Sequence, residues 1–238
     1  MKNFIGYIIP EPIIENGGKK LAKRLRSVTR SLKIQVENSL RLGWKKEDIV
    51  FVTNFEFEHM GVKAYINNDL IPTATRFLGK HYSLCWAMQR FDDDWWVHDH
   101  DTWQLRPFGL PEMKTDICAY KFWGKKVGDS SFFVKKEAKN IIKNFIDYTI
   151  NEAERFKNRK GGEVYWYNFI IENKIPYDIL DWAYALRRNK FEARYAAATK
   201  PIKAVHIKNK RTLLGFYCGQ NPVNFQVSPE FVKIYRKY

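Results

Sequence analysis

Residues 92–101 read Asp-Asp-Asp-Trp-Trp-Val-His-Asp-His-Asp, and the groups best suited to chemistry are gathered there. Asp99 and Asp101 stand two residues apart, just beyond the apolar Trp95-Trp96-Val97. A run of that kind reads as a core strand, and carboxylates past its end can turn toward one shared ion. Hard divalent cations take oxygen ligands, and a diphosphate would supply more of them. The ion would then act as a Lewis acid and neutralise charge on a leaving diphosphate. Asp92, Asp93 and Asp94 precede the strand, so they belong to the opposite sheet edge as a solvated turn. His98 and His100 flank the carboxylates as hydrogen-bonded supports. A zinc site of the hydrolase kind would instead recruit them as ligands, but no third histidine stands nearby at suitable spacing.

Holding these groups requires a sheet, and the chain supplies alternating strand-like and helix-like runs, the pattern of an α/β fold. Residues 4–9 form a first strand, ended by Pro10 and Pro12. Residues 19–42 carry Leu21, Leu25, Val28, Leu32, Val36 and Leu40 at spacings of three and four, a helix that Gly43 closes. Residues 48–54 are nearly continuously apolar, as a strand buried on both faces must be. A Phe-rich loop with Gly61, a short strand at 62–66 and a helix at 73–88 come next. After the strand leading to Asp99, the pattern predicts a strand at 132–134, helices at 136–156 and 163–172 divided by Gly161-Gly162, and a short strand at 204–207. This order puts the Asp-His-Asp triplet at a C-terminal strand edge, where open α/β sheets bind ligands.

The 238 residues suit one α/β domain, with 1–108 and 109–238 as its halves. No stretch reaches 18 apolar residues, which argues against a transmembrane helix. The first ten residues read as a strand rather than a signal peptide, because the apolar run is short and no small-residue cleavage site follows. Cys85, Cys118 and Cys218 are widely spaced and form neither a disulfide framework nor a zinc pattern, which fits a reducing cytoplasm. The formal net charge is +15, which points to polyanionic partners: nucleic acid, an anionic membrane surface or a phosphorylated substrate.

The strand followed by Asp-x-Asp and Thr-Trp-Gln-Leu-Arg-Pro-Phe resembles the metal-binding motif of GT-A-fold glycosyltransferases. The stretch Ala204-Val205-His206-Ile207-Lys208 resembles their second signature, a late strand whose histidine completes the metal site. The resemblance implies a GT-A-like, mostly parallel sheet flanked by helices, a nucleotide-sugar donor (UDP-glucose or another UDP-sugar), and Mn²⁺ or Mg²⁺. It implies that Asp99, Asp101 and His206 hold the ion, with Asp99 also close to the ribose, and that Lys208 or Lys210 holds the diphosphate. The first-strand end at Ile8, Ile9 and Pro10 would meet the nucleotide base, beside Thr53 and Asn54. Arg76 and Lys80, one helical turn apart, would face the diphosphate. Gly128-Asp129-Ser130-Ser131-Phe132-Phe133 resembles the strand lining the acceptor side, but departs from the usual Asn-Ser-Gly form. An inverting enzyme needs a carboxylate base for the acceptor hydroxyl. Glu163, at the head of a helix after Gly161-Gly162, is one choice, and Asp181 and Asp129 compete with it. A retaining enzyme needs none of them.

Lys19, Lys23, Arg26, Arg30 and Lys33 form a cationic stripe on the helix at 19–42, uninterrupted by acid before Glu37. Arg187-Arg188-Asn189-Lys190, Lys208-Asn209-Lys210-Arg211 and the 233–237 segment add further cations. Diffuse cations suit a phosphate backbone, while the absence of helix-turn-helix, zinc-finger or RNP signatures argues against sequence-specific reading. Trp44, Trp103, Trp123, Trp166 and Trp182 read mainly as core, with wedging of a flipped base as the alternative. Residues 4–12, Gly17-Gly18-Lys19 and 40–63 resemble the N-terminal half of phage enzymes that glycosylate 5-hydroxymethylpyrimidines in DNA. That resemblance implies double-stranded DNA as partner and 5-hydroxymethylcytosine or a related base as acceptor. Three alternatives stay open: a glycan or lipid-linked acceptor, a non-catalytic nucleic-acid-binding protein, and a metal-dependent nuclease.

Overall fold

The structure, a computed structural model, describes residues 1–68, 78–122, 126–156, 162–184, 186–187, 201–206 and 227–238. Strand β1 (Lys2–Tyr7) is followed by a short helix α1 (Glu11–Asn16) and the long helix α2 (Gly18–Arg41). Then come β2 (Ile49–Thr53), the hairpin β3 (Glu58–His59) with β4 (Val62–Lys63), β5 (Tyr65–Ile66) and α3 (Gly79–Met88). Strands β6 (Trp95–His98), β7 (Thr102–Gln104), β8 (Ile117–Phe122) and β9 (Lys126–Val134) lead to helices α4 (Lys139–Asn151), α5 (Ala153–Phe156) and α6 (Gly162–Glu172). The chain continues through β10 (Asp178–Ile179), β11 (Leu186–Arg187) and β12 (Ala204–His206) to the helix α7 (Pro229–Lys237).

Seven strands make the central sheet in the order β10-β8-β9-β6-β1-β2-β5. All its pairings are parallel except those of β9, which runs against both β6 and β8. A small sheet, β11-β12-β7, stands beside it. Alternation along the strands divides the core. Phe4, Trp95, Val97, Phe132 and Val134 face a cluster with α3, α4 and α6. Ile5 and Phe51 face α2 through Val28, Leu32 and Val36, while Trp96 and Phe133 face the small sheet and α7. This is a three-layer α/β fold, as the sequence pattern predicts, with the mostly parallel sheet flanked by helices that the resemblance implies.

The differences in detail have local causes. The first strand ends at Tyr7, two residues before the apolar run does, so Ile8, Ile9 and Pro10 form the exit loop. The described part of the third helix is Gly79–Met88, the C-terminal part of the expected span. Residues 136–138 are a 3₁₀ turn before α4. Strands β7, β8 and β10 are short or amphipathic in sequence and acquire strand character only by pairing. Gly6 has a specific packing role: a Cβ there would stand 2.5 Å from Ser83 Cβ and 2.9 Å from the Lys80 carbonyl oxygen. The missing side chain lets α3 lie directly on β1, which brings Lys80 to the sheet edge. Among the described residues, no helix is long and apolar enough to cross a membrane.

Candidate active site and metal centre

The chain leaves β6 at His98 and turns at once, with the Asp99 N–H donating to the Ser130 carbonyl (3.0 Å) and the Thr102 N–H to the Asp99 carbonyl (2.9 Å). The Thr102 hydroxyl reaches the same Ser130 carbonyl (3.1 Å). This turn puts Asp99 and Asp101 at the C-terminal edge of the sheet. β12 then pairs antiparallel with β7, placing His206 opposite Thr102. Ligand atoms of Asp99, Asp101 and His206 all lie within 4.8 Å of one another. His206 Nε2 is 3.0 Å from Asp101 Oδ1 and 3.5 Å from Asp99 Oδ2, so the imidazole bridges the two carboxylates.

Two carboxylates and one imidazole are a donor set for a divalent ion that keeps other positions open. Ligands ~2.1 Å from one ion stand no more than ~4.2 Å apart, so small rotations close this cluster around a single ion. The residues present fit such an ion.

Lys80, from α3, lies 2.7 Å from Asp99 Oδ1 and 3.9 Å from Asp129 Oδ2, and it also donates to the Asp129 carbonyl. Burial pulls the Lys80 ammonium down, but Asp129 and Asp99 outweigh it and hold it above its ordinary value, with Glu163 adding to the effect. Burial likewise raises the Asp99 carboxyl, and Lys80 and His206 reverse this, leaving it below the usual carboxylate range. Lys80 was expected at the diphosphate; in the structure its direct partners are acidic groups of the site. Glu163, in the first turn of α6, faces the same region closely enough to act on Lys80.

His98 and His81 are both fully buried, and burial keeps both neutral. The His98 pKa is pushed down to about 3. Its ring stacks on Trp96, with centroids 3.8 Å apart. Nδ1 is 3.0 Å from the Asp99 carbonyl, which can only accept, so that nitrogen carries the proton. Asn3 Oδ1 stands 2.7 Å from Nε2, and Asn3 Nδ2 donates to the Ser39 hydroxyl (2.9 Å). With the proton on Nδ1, the neutral ring accepts at Nε2 only if this amide is turned over, its NH₂ toward the ring and its oxygen taking the Ser39 proton. His98 is therefore a support for the Asp99 turn, as expected. His81 lies between Phe132, Phe145 and Trp166, with its pKa also driven far down by burial. His100 packs edge-on against Tyr7, with centroids 4.9 Å apart.

Asn54 accepts from the Ile9 N–H (2.8 Å) and donates to the Ile9 carbonyl (2.9 Å), so it braces the loop after β1. Asp181 follows β10 at the same sheet edge, accepts from the Ala183 N–H (2.7 Å), and lines a cavity of about 640 Å³ with Trp182 and Tyr184. Lys19, Lys23 and Arg26 are exposed on the first half of α2, while Arg30 is half-buried, 5.5 Å over the Tyr235 ring. Arg76, Lys208, Lys210 and Arg211 lie outside the described residues. Sequence reading missed Gln35 and Asn38 of α2, Tyr7 and Tyr235. The one available signal was amides at fully buried helix positions, beside an apolar stripe.

No protein-family model matches the sequence, and no curated protein matches it. Solved structures do match, and they carry the GT-A-like glycosyltransferase fold. One is a glycosyltransferase involved in the glycosylation of the major capsid of PBCV-1, with TM-score 0.54 and 16% identity over 92% of this chain and 98% of that one. Another is the galactosyltransferase LgtC in complex with donor and acceptor sugar analogs, with TM-score 0.55 and 8% identity over 100% and 96%. Mouse xyloside xylosyltransferase 1 follows, with TM-score 0.51 and 10% identity over 87% and 97%. At such identities the likeness is one of fold.

Proposed function

We propose that this chain is a metal-dependent glycosyltransferase that moves a sugar from a nucleotide sugar, UDP-linked by preference, to an acceptor hydroxyl. The observation that carries this reading is the convergence of Asp99, Asp101 and His206 at the ligand-binding edge of a GT-A-like sheet. These three residues would hold Mn²⁺ or Mg²⁺, which would neutralise the leaving diphosphate. Lys80 would keep Asp99 ionised and oriented. Ile8, Ile9 and Pro10, braced by Asn54, would border the base, and Arg76 and Lys208 would reach the diphosphate. Glu163 is the preferred base for the acceptor hydroxyl because it faces the Lys80 region, whereas Asp181 lines a separate cavity.

The preferred acceptor is the hydroxymethyl group of 5-hydroxymethylcytosine or a related base in phage DNA. The net charge of +15 supports it, as do the exposed Lys19, Lys23 and Arg26 on a helix whose other half packs on the metal loop. A glycan or lipid-linked acceptor is the second reading. It draws on the Trp182 and Tyr184 cavity, whose aromatic faces and carboxylates Asp178 and Asp181 suit sugar rings.

Nucleotide release from UDP-glucose with Mn²⁺, measured with hydroxymethylated and unmodified DNA, tests this reading, with DNA mass followed in parallel. Release and a hexose-sized mass gain on hydroxymethylated DNA alone, abolished in Asp101→Ala, are expected. Failure of a panel of nucleotide sugars to bind in the presence of metal would overturn the transferase reading. Binding without transfer to DNA would favour the glycan acceptor.

A further inference from the structure

Helix α2 reaches the metal loop through two buried amides. β7 is an edge strand of the small sheet, and β12 occupies one side of it, with Trp103 opposite Val205. On the other side the carbonyls of alternate residues meet α2. Gln35 Nε2 donates to the His100 carbonyl (3.2 Å) and the Thr102 carbonyl (2.7 Å). Asn38 Nδ2, one helical turn on, donates to the Gln104 carbonyl (2.8 Å). Both side chains are buried, with 1% and 0% of their surface exposed. The helix thus takes the place of a neighbouring strand, and Asp101 sits between the two carbonyls that Gln35 holds.

Gln35 does this at a cost. Its Oε1 is buried and has no hydrogen-bond partner. The amide cannot turn over to relieve it, because Oε1 would then face two carbonyl oxygens. A buried acceptor left unmet is destabilising and calls for an explanation. An apolar side chain would extend the adjoining stripe of Leu32 and Val36 without that cost. What an apolar residue cannot do is fix the backbone on both sides of Asp101.

We propose that Gln35 is a positioning residue for the metal centre, holding residues 100–102 so that Asp101 meets His206 and Asp99. The inference rests on the metal-dependent reading above. It assigns to α2 a part in ion affinity that is separate from its cationic half.

The test is Mn²⁺ titration of the full chain, read by the electron spin resonance of the free ion, with melting temperatures alongside. Gln35→Met keeps the side-chain shape and removes the donors. It is expected to weaken Mn²⁺ binding about 10–100-fold, the range for groups that orient metal ligands. Gln35→Asn, an amide one methylene shorter, is expected to fall between wild type and Gln35→Met. Asn38→Leu releases the Gln104 carbonyl, three residues beyond Asp101, and the Arg41 guanidinium that donates to Asn38 Oδ1, but leaves the His100 and Thr102 carbonyls held. It is expected to lower the melting temperature comparably, with less than about a threefold effect on the ion. Wild-type affinity in Gln35→Met would overturn the inference. So would equal weakening in Gln35→Met and Asn38→Leu in step with lost stability. A wild-type chain that binds no Mn²⁺ would instead sink the metal-dependent reading, and this inference with it.

Discussion

Lys80 is where stability and the metal site meet, and Lys80→Met separates them. The ammonium is 2.7 Å from Asp99 and 3.9 Å from Asp129, with 9% of its side chain exposed. At an effective dielectric of about 20, these separations correspond to attractions of ~6 and ~4 kcal/mol. Desolvation of the buried groups offsets much of that sum. Methionine fills similar space but leaves two carboxylates without their cation. Removing one partner of a buried pair costs about 3–5 kcal/mol, and the lower end applies because Asp99 keeps 31% of its side chain open to solvent. In a chain of 238 residues, about 3 kcal/mol lowers the melting temperature by about 6–12 °C. The assay is thermal unfolding at pH 7.5 in EDTA, repeated with saturating Mn²⁺. The ion is expected to raise the variant's melting temperature more than that of wild type, since Lys80 no longer competes with it for Asp99. A variant that melts within about 2 °C of wild type in EDTA would refute the argument that Lys80 neutralises these carboxylates.

Acid should destabilise the fold well above the carboxylate range. His98 and His81 stay neutral when folded because burial depresses both, but in the unfolded chain they protonate near pH 6.5. Their contribution is therefore complete above about pH 6.5 and falls as pH drops toward the folded values. For His98, with its folded value at about 3, the loss approaches ~2 kcal/mol by pH 5, measurable by urea unfolding, and His81 adds to it in the same direction. His81→Phe should lessen this pH dependence, and an unchanged slope would contradict the assignment. Gly6→Ala should push α3 off β1, given the 2.5 Å approach of Ser83 Cβ, and destabilise by about 1–3 kcal/mol in chemical unfolding. Its Mn²⁺ affinity should change as well, since Lys80 moves with the helix. Replacing Lys19, Lys23 and Arg26 together by alanine should reduce the salt slope of DNA binding by about 2.7 and leave Mn²⁺ affinity intact. An unaltered slope would count against the proposed role of this helix in binding DNA.

Much of the site was legible before folding because its signals are local. A buried strand ending in Asp-x-Asp is contained within ten residues, whereas His206 was marked only by the resemblance of its short strand to a second signature of GT-A-fold glycosyltransferases. The periods of α2, β2 and β6 likewise depend on neighbours in sequence, so these elements and the α/β class could be read directly. The long-range arrangement could not. His206 meets Asp101 across 105 residues because β12 pairs with β7 in one register, which sets His206 opposite Thr102. Lys80, one turn from Arg76, reads in the sequence as a cation facing the diphosphate. The missing Cβ of Gly6 brings it onto Asp99 and Asp129 instead. The roles of Gln35 and Asn38 appear only once the unpaired edge of β7 lies against them. Sequence alone determined which chemical groups exist and which strand end carries them, since those follow from residue type and period. Tertiary structure decided which groups share a charge, a proton or a ligand position, because such pairings depend on distances of a few ångströms between elements far apart in the chain.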